Sequence, residues 1–109
     1  DAPLDNQGKG EAFSPTDLVA SALGSCMLTI MGITANTQNI NIDGTYAKVK
    51  KVMGEEPRRI SEIHLDITFI MPVSEKHRTI LERAAHHCPV SKSLHPDLKE
   101  VVTFHYPEE

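Results

Sequence analysis

The sequence predicts an α+β fold in which a long buried helix and a second helix pack on antiparallel strands. First, the stretch from Leu18 to Ala35 has no charged residue, which is typical of a helix buried on nearly all sides. Second, residues 63–69 alternate strictly between apolar and polar, which indicates a strand with one buried face. Third, a second apolar helical stripe ends at Pro89, before a final run of strand-forming residues. At 109 residues, we expect a single domain over 1–109.

The first helix is predicted to run from Pro15 to about Thr37. Ser14 is a good N-cap, Pro15 suits the first helical position, and Asp17 stands where a capping box has an acid. The preceding segment, 1–13, contains glycine and proline and has no periodicity. We therefore expect a loop there and a well-defined helix start after it.

Two extended runs after this helix predict an antiparallel hairpin. The first run begins at Ile40 and continues beyond Gly44, and the second covers residues 60–69. The turn between them is predicted at 54–57, where glycine and proline occur. The charged stretch 48–51 is expected to be the solvated face of the hairpin.

The second helix should follow Ser74, which suits the N-cap position. Its apolar stripe falls on residues 80–85, and Pro89 ends it. A short turn is expected over 89–94, and a last strand over 101–106.

These elements cannot cover the first helix in one copy of the chain. Three strands and one shorter helix cover about half of a helix that is apolar on all sides. The helix has no flanking Lys or Arg and no aromatic belt residues, so we interpret it as buried in protein and not in a membrane. We therefore expect a homodimer.

Charge and composition exclude several classes of function. The chain has 11 Lys and Arg against 15 Asp and Glu, without a basic stripe, which argues against nucleic acid as a partner. It contains no phosphate-loop or dinucleotide fingerprint, so no cofactor is expected. No secretion signal is visible, which favours a cytoplasmic location.

The two cysteines, Cys26 and Cys88, are the candidate functional residues. Two cysteines are too few for a disulfide scaffold, and in a chain without a signal they are expected to be reduced thiols. The residues alone leave open whether they form a redox pair or are ordinary buried cysteines. We expect no metal at His86, His87 and Cys88, because adjacent helical side chains point about 100° apart and no second cysteine lies at zinc spacing.

The chain resembles the OsmC-like family in two motifs. The first covers residues 14–18 and 22–26, and the second is Cys-Pro-Val-Ser-Lys-Ser-Leu at 88–94. That family includes the osmotically inducible proteins and the organic hydroperoxide resistance proteins. The resemblance extends from Gly8 to Phe104. It implies an intertwined homodimer with the cysteine helices at its centre, and a thiol peroxidase site at the subunit interface. It also implies strands before the first helix, which we expect to be absent from this chain.

The resemblance assigns a role to each thiol. Cys26 matches the peroxidatic cysteine, which attacks an organic hydroperoxide, and Cys88 matches the resolving cysteine; a dithiol reductant then restores both. The start of a helix at Pro89 would favour a Cys88 thiolate. In the family's best peroxidases, a glutamate ten positions before the first cysteine holds an activating arginine. Here Thr16 stands at that position, with Asp17 beside it.

None of the four arginines matches the family's catalytic arginine. This departure keeps a second function class open, that of a non-enzymatic OsmC-like module. In such a module the cysteines would be structural, and an apolar pocket at the interface would bind a small lipophilic molecule.

Overall fold

The computed structural model describes residues 14–107. Its helices and its three-stranded sheet form an α+β fold, as the sequence predicts. The loop expected over 1–13 lies outside the described residues. The elements in chain order are α1 (Pro15–Thr37), β1 (Tyr46–Gly54), β2 (Arg59–Thr68), α2 (Glu75–Ala85), α3 (Pro89–Ser93) and β3 (Lys99–His105).

The sheet has the strand order β1-β2-β3, so β2 lies at its centre. The predicted antiparallel hairpin is confirmed, with Tyr46 of β1 opposite Thr68 of β2. β3 differs from the expectation of antiparallel strands, because it pairs with β2 in parallel, with Glu62 opposite Lys99. The chain passes through α2 and α3 before it returns to the sheet, and such a crossover connection lets β3 enter from the same end as β2.

The start of α1 is held by a capping box, as predicted. The Asp17 N–H donates to Ser14 Oγ at 3.2 Å, and the Ser14 N–H donates to the Asp17 carboxylate at 3.1 Å. Lys51 joins this pair, with its Nζ 2.7 Å from Asp17 Oδ1. The expectation of a solvated 48–51 segment is therefore wrong for Lys51. Successive strand residues point to opposite faces, so Lys51 faces the helix while Lys48 and Lys50 are exposed.

The core lies between α1 and one face of the sheet, and α2 closes one side of it. β2 contributes the alternating apolar positions that the sequence predicts, and α1 contributes residues one helical turn apart. These side chains are fully buried, as expected for a close-packed interior. They are Leu23, Met27, Met31, Ile63, Leu65, Ile67 and Leu81.

Within residues 14–107, no element covers one face of α1. Leu18 and Ile33 are 58% and 60% exposed, and Ala22, Ser25 and Thr29 between them are also exposed. Their spacing of three or four residues puts all five on one face, which we call the α1 stripe. The described part of one chain thus buries one face of α1 and not nearly all sides. By length and composition alone α1 could cross a membrane, but its buried face belongs to the core of this domain.

Candidate active site at the paired thiols

Cys26 and Cys88 come from different elements and meet at one side of α1. Both are free thiols. Cys26 is half-buried, on the flank of α1 between its buried face and the α1 stripe. Cys88 is fully buried at the N-cap of α3, and α3 packs against α1. The structure therefore brings together the two thiols that the sequence singled out.

The local geometry of Cys88 follows from the Cys-Pro-Val-Ser motif. Cys88 has the extended backbone of an N-cap residue, and Pro89 occupies the start of α3, where its missing N–H costs nothing. The N–H of Ser91 donates to Cys88 Sγ at 3.4 Å. The sulfur thus takes the place that a serine or aspartate oxygen usually takes at a helix start.

The balance of forces on Cys88 favours the neutral thiol. Burial is the largest influence and raises the pKa of Cys88, because a thiolate is costly away from water. The Ser91 N–H lowers this pKa, whereas the nearby Cys26 thiol and, as the smallest influence, the charge of Glu100 raise it further. The expectation that the helix start would favour a Cys88 thiolate is therefore wrong, since burial outweighs that single N–H.

Two residues of this site were missed by the sequence analysis. The Ser91 hydroxyl donates to the Glu100 carboxylate, at 2.7 Å from Oε2 and 2.9 Å from Oε1. Ser91 could have been found, because it stands three positions after the N-cap, where a backbone N–H meets the capping side chain. Glu100 carries no such signal, since the register of β3 alone decides what lies beside α3.

Thr16 and Asp17, which stand near the position of the family's glutamate, contribute to the N-terminal cap of α1. The Thr16 hydroxyl lies 3.0 Å from Ser14 Oγ, and Asp17 completes the capping box and pairs with Lys51. The interpretation of Asp17 as a helix cap is thus confirmed. This cluster holds the N-terminus of α1, about three turns from Cys26 by the rise of a helix.

Arg78 and Arg59 make their contacts away from the paired thiols. The Arg78 guanidinium lies 4.2 Å from the centre of the Tyr106 ring, and its Nε donates to the Val73 carbonyl at 2.8 Å. Arg59 lies 4.0 Å from Asp97. These contacts are at α2 and at the loop before β3, and not at the paired thiols.

The histidines around Cys88 point to separate partners. The His86 ring packs edge-on against Phe104 with 6.0 Å between ring centres, and His87 Nδ1 lies 2.7 Å from the Arg83 carbonyl oxygen. Within residues 14–107, no three His, Cys, Asp or Glu side chains are close enough together to hold a metal ion.

A groove of about 350 Å³ runs between α1 and β1. Residues 24 and 28 of α1 contribute to it, whereas Cys26 points away from them by well over a quarter turn at about 100° per residue. The groove therefore lies on the flank of α1 opposite to the thiols. It is lined by Ser21, Gly24, Ser25, Leu28, Thr29, Ala47 and Val49.

Comparisons with known proteins agree with this architecture. A protein named for osmotic stress induction and detoxification response, from Psychrobacter arcticus, is 56% identical, with a TM-score of 0.92 over 96% of this chain and 77% of that one. The organic hydroperoxide resistance protein OhrB of Bacillus subtilis is 22% identical, with a TM-score of 0.64 over 97% of this chain and 76% of that one.

An organic hydroperoxide resistance protein from Legionella pneumophila is 17% identical, with a TM-score of 0.75 over 97% of this chain and 77% of that one. The comparison with curated proteins gives no match. The family model described as OsmC-like protein matches residues 8–101. Because that match spans most of the chain and includes both cysteine motifs, this chain belongs to the OsmC-like family.

Proposed function

We propose that this protein is a cytoplasmic, thiol-dependent peroxidase that reduces organic hydroperoxides through Cys26 and Cys88. The observation that carries the proposal is the proximity of the two thiols, since the half-buried Cys26 lies close enough to the fully buried Cys88 to raise the pKa of Cys88. Family membership adds to it, since some solved relatives are named for organic hydroperoxide resistance.

The different exposure of the two thiols supports the role proposed for each. Cys26 is half-buried and therefore accessible to a hydroperoxide, whereas Cys88 is fully buried. The Cys26 thiolate attacks the outer oxygen of the hydroperoxide and breaks the O–O bond. The alkoxide leaves with a proton as the alcohol, and the Cys26 sulfur, now oxidised, carries the hydroxyl group as a sulfenic acid.

Cys88 completes the cycle. Its sulfur attacks the sulfenic sulfur of Cys26, a disulfide forms, and the hydroxyl group leaves with the Cys88 proton as water. A dithiol reductant then exchanges with this disulfide, which restores both thiols and leaves the reductant oxidised. No metal or cofactor takes part in these steps.

The active form is proposed to be a homodimer. The α1 stripe is apolar to weakly polar, bears no charge and lies exposed in one chain, and such a face is typical of a subunit interface. Cys26 lies on the flank of this face. A second copy packed on the α1 stripe would therefore lie beside the Cys26 thiol and form one wall of the site.

A hydroperoxide titration tests the proposal. Reduced protein treated with one equivalent of cumene hydroperoxide should lose both of its thiols per chain, as counted with a thiol reagent under denaturing conditions. In the Cys88→Ser variant, a sulfenic acid should form at Cys26 and be trapped by dimedone. The Cys26→Ser variant is the matched control and should keep its thiol. If the unaltered protein still has two reactive thiols per chain, the peroxidase proposal is wrong.

The groove between α1 and β1 favours a second candidate, a non-enzymatic binding module. Its lining combines the hydroxyls of Ser21, Ser25 and Thr29 with apolar side chains, as small-molecule sites do. In this function the cysteines would be structural. Two results together would favour a binding module. The protein would keep both thiols in the titration above, and it would bind a fluorescent fatty acid saturably, with the Gly24→Leu variant abolishing that binding.

A further inference from the structure

The carboxylate of Glu100 lies behind the buried thiol and has no part in the chemistry described so far. Ser91 connects the two groups, because its hydroxyl donates to Glu100 at 2.7 Å and its N–H donates to Cys88 Sγ at 3.4 Å. A single residue therefore joins the carboxylate to the sulfur, through one hydrogen bond on each side.

The position of Glu100 is set by the sheet. Glu100 is near the start of β3, opposite Ile63 of β2, and the parallel register brings it next to α3. Both Glu100 and Ser91 are half-buried. Salt screens a charge in such a place less than a charge on the open surface. The Glu100 carboxylate therefore still repels a nearby negative charge at physiological ionic strength.

The charge of Glu100 opposes a second negative charge on Cys88. It raises the pKa of Cys88 in the same direction as burial does, the largest influence. The other groups around Cys88 are the Cys26 thiol of α1, which also raises this pKa, and the end of α2. There His86 and His87 are directed to an aromatic ring and a backbone carbonyl.

We propose that Glu100 is a positioning residue which, through Ser91, orients Cys88 and helps to keep it a neutral thiol in the reduced protein. This inference rests on the proposed function, because it specifies how the resolving step is kept apart from the first one. A protonated Cys88 is a poor nucleophile toward a hydroperoxide. It still carries the proton that leaves with the sulfenic hydroxyl as water when the disulfide forms.

The test measures the ionisation of Cys88 in the Cys26→Ser background, where Cys88 is the one remaining cysteine. The β-carbon chemical shift of isotope-labelled Cys88 is followed against pH, which needs no access of a reagent to the buried sulfur. Adding Glu100→Gln should move the midpoint to lower pH, because it removes a like charge from the neighbourhood of the sulfur. The matched control, Glu55→Gln, removes an equal charge from the exposed hairpin turn and should leave the midpoint unchanged.

Two further variants separate the charge of Glu100 from its shape. Glu100→Asp keeps the charge and should retain most of the wild-type midpoint. Ser91→Ala removes the donor that holds the carboxylate and should lower the midpoint, which keeps the inference testable if Glu100→Gln does not fold. A midpoint that Glu100→Gln and Ser91→Ala leave unchanged or raise overturns it, even for an active peroxidase. A different outcome is a lowered midpoint in a protein that does not consume hydroperoxide. That result would refute the peroxidase function, but the effect of Glu100 on the ionisation of Cys88 would be confirmed.

Discussion

At the scale of single residues, Asp17 is a side chain whose role the sequence predicts and whose partner only the structure provides. The hydrogen bond from Lys51 is the largest influence that lowers the pKa of Asp17, and the Ser14 N–H lowers it further. Asp17 thus serves as the capping acid of α1 and as the anchor of β1 at the same time.

We predict that Lys51→Met lowers the free energy of unfolding by about 0.5–1 kcal/mol, the range of a partly exposed ion pair. The control is Lys50→Met, which changes an exposed side chain of the same strand and should have a smaller effect. Urea denaturation at one fixed protein concentration measures both. Equal effects of the two substitutions would mean that the Lys51–Asp17 pair adds no stability.

The same pair predicts a pH dependence. Because the folded-state pKa of Asp17 lies below its ordinary value of 3.8, its stabilising contribution is complete above that value and is lost as the pH falls through the folded-state pKa. The difference between wild type and Lys51→Met should therefore be present at neutral pH and shrink in strong acid. A difference that stays constant down to about pH 2 would contradict this assignment.

At the scale of elements, Tyr106, which directly follows β3, contacts two residues of α2 and so connects the two elements. Its ring stacks on Phe69 with 4.6 Å between centres and an angle of 6°, and Arg78 covers the ring. The Tyr106 hydroxyl donates to Glu82 Oε2 at 2.8 Å. Burial, followed by this hydrogen bond, raises the pKa of Tyr106.

Tyr106→Phe should lower the free energy of unfolding by about 1.5–3 kcal/mol, since it removes one hydrogen bond to a charged acceptor. Tyr46→Phe is the matched control, because Tyr46 is 44% exposed, and it should change little. The raised pKa means that the Tyr106 contribution is complete below its ordinary value of 10.0 and is lost above it as the pH rises. Thermal unfolding followed by circular dichroism checks both statements, and equal stability losses in the two variants would refute the first.

At Gly24, α1 lies close to β1. A Cβ atom there would lie 3.5 Å from Val49 Cγ2, an ordinary van der Waals contact, so an alanine would also fit. Helical periodicity places Gly24 on the buried face of α1 but does not identify β1 as the strand that covers it.

At the scale of the whole molecule, the α1 stripe sets the expected assembly. We predict that the protein sediments as a dimer at micromolar concentration, and that Ile33→Lys produces monomers, because a charge would then be buried without a partner. Ile70→Lys is the matched control: Ile70 is 54% exposed and lies after the end of β2, beside Gly44 and not in the α1 stripe, so the dimer should persist. A wild-type protein that sediments as a stable, folded monomer would rule out this interface.

The sequence by itself determined the features that local rules control. The bounds of α1 follow from Ser14 and Pro15, whose backbone preferences act within one turn. The hairpin follows from the alternation in β2 and from the turn residues between the strands. The choice of Cys26 and Cys88 as candidate functional residues likewise came from short motifs.

Only the tertiary structure decided what depends on contacts between distant segments. The parallel direction of β3, the placement of Lys51 at the start of α1 and the position of Glu100 behind Cys88 each join residues far apart in the chain. Periodicity states which face of an element is buried, but not which neighbour covers it or in which register. The ionisation of Cys88 depends on the same contacts, because burial between α1 and α3 outweighs the helix start that the sequence made visible.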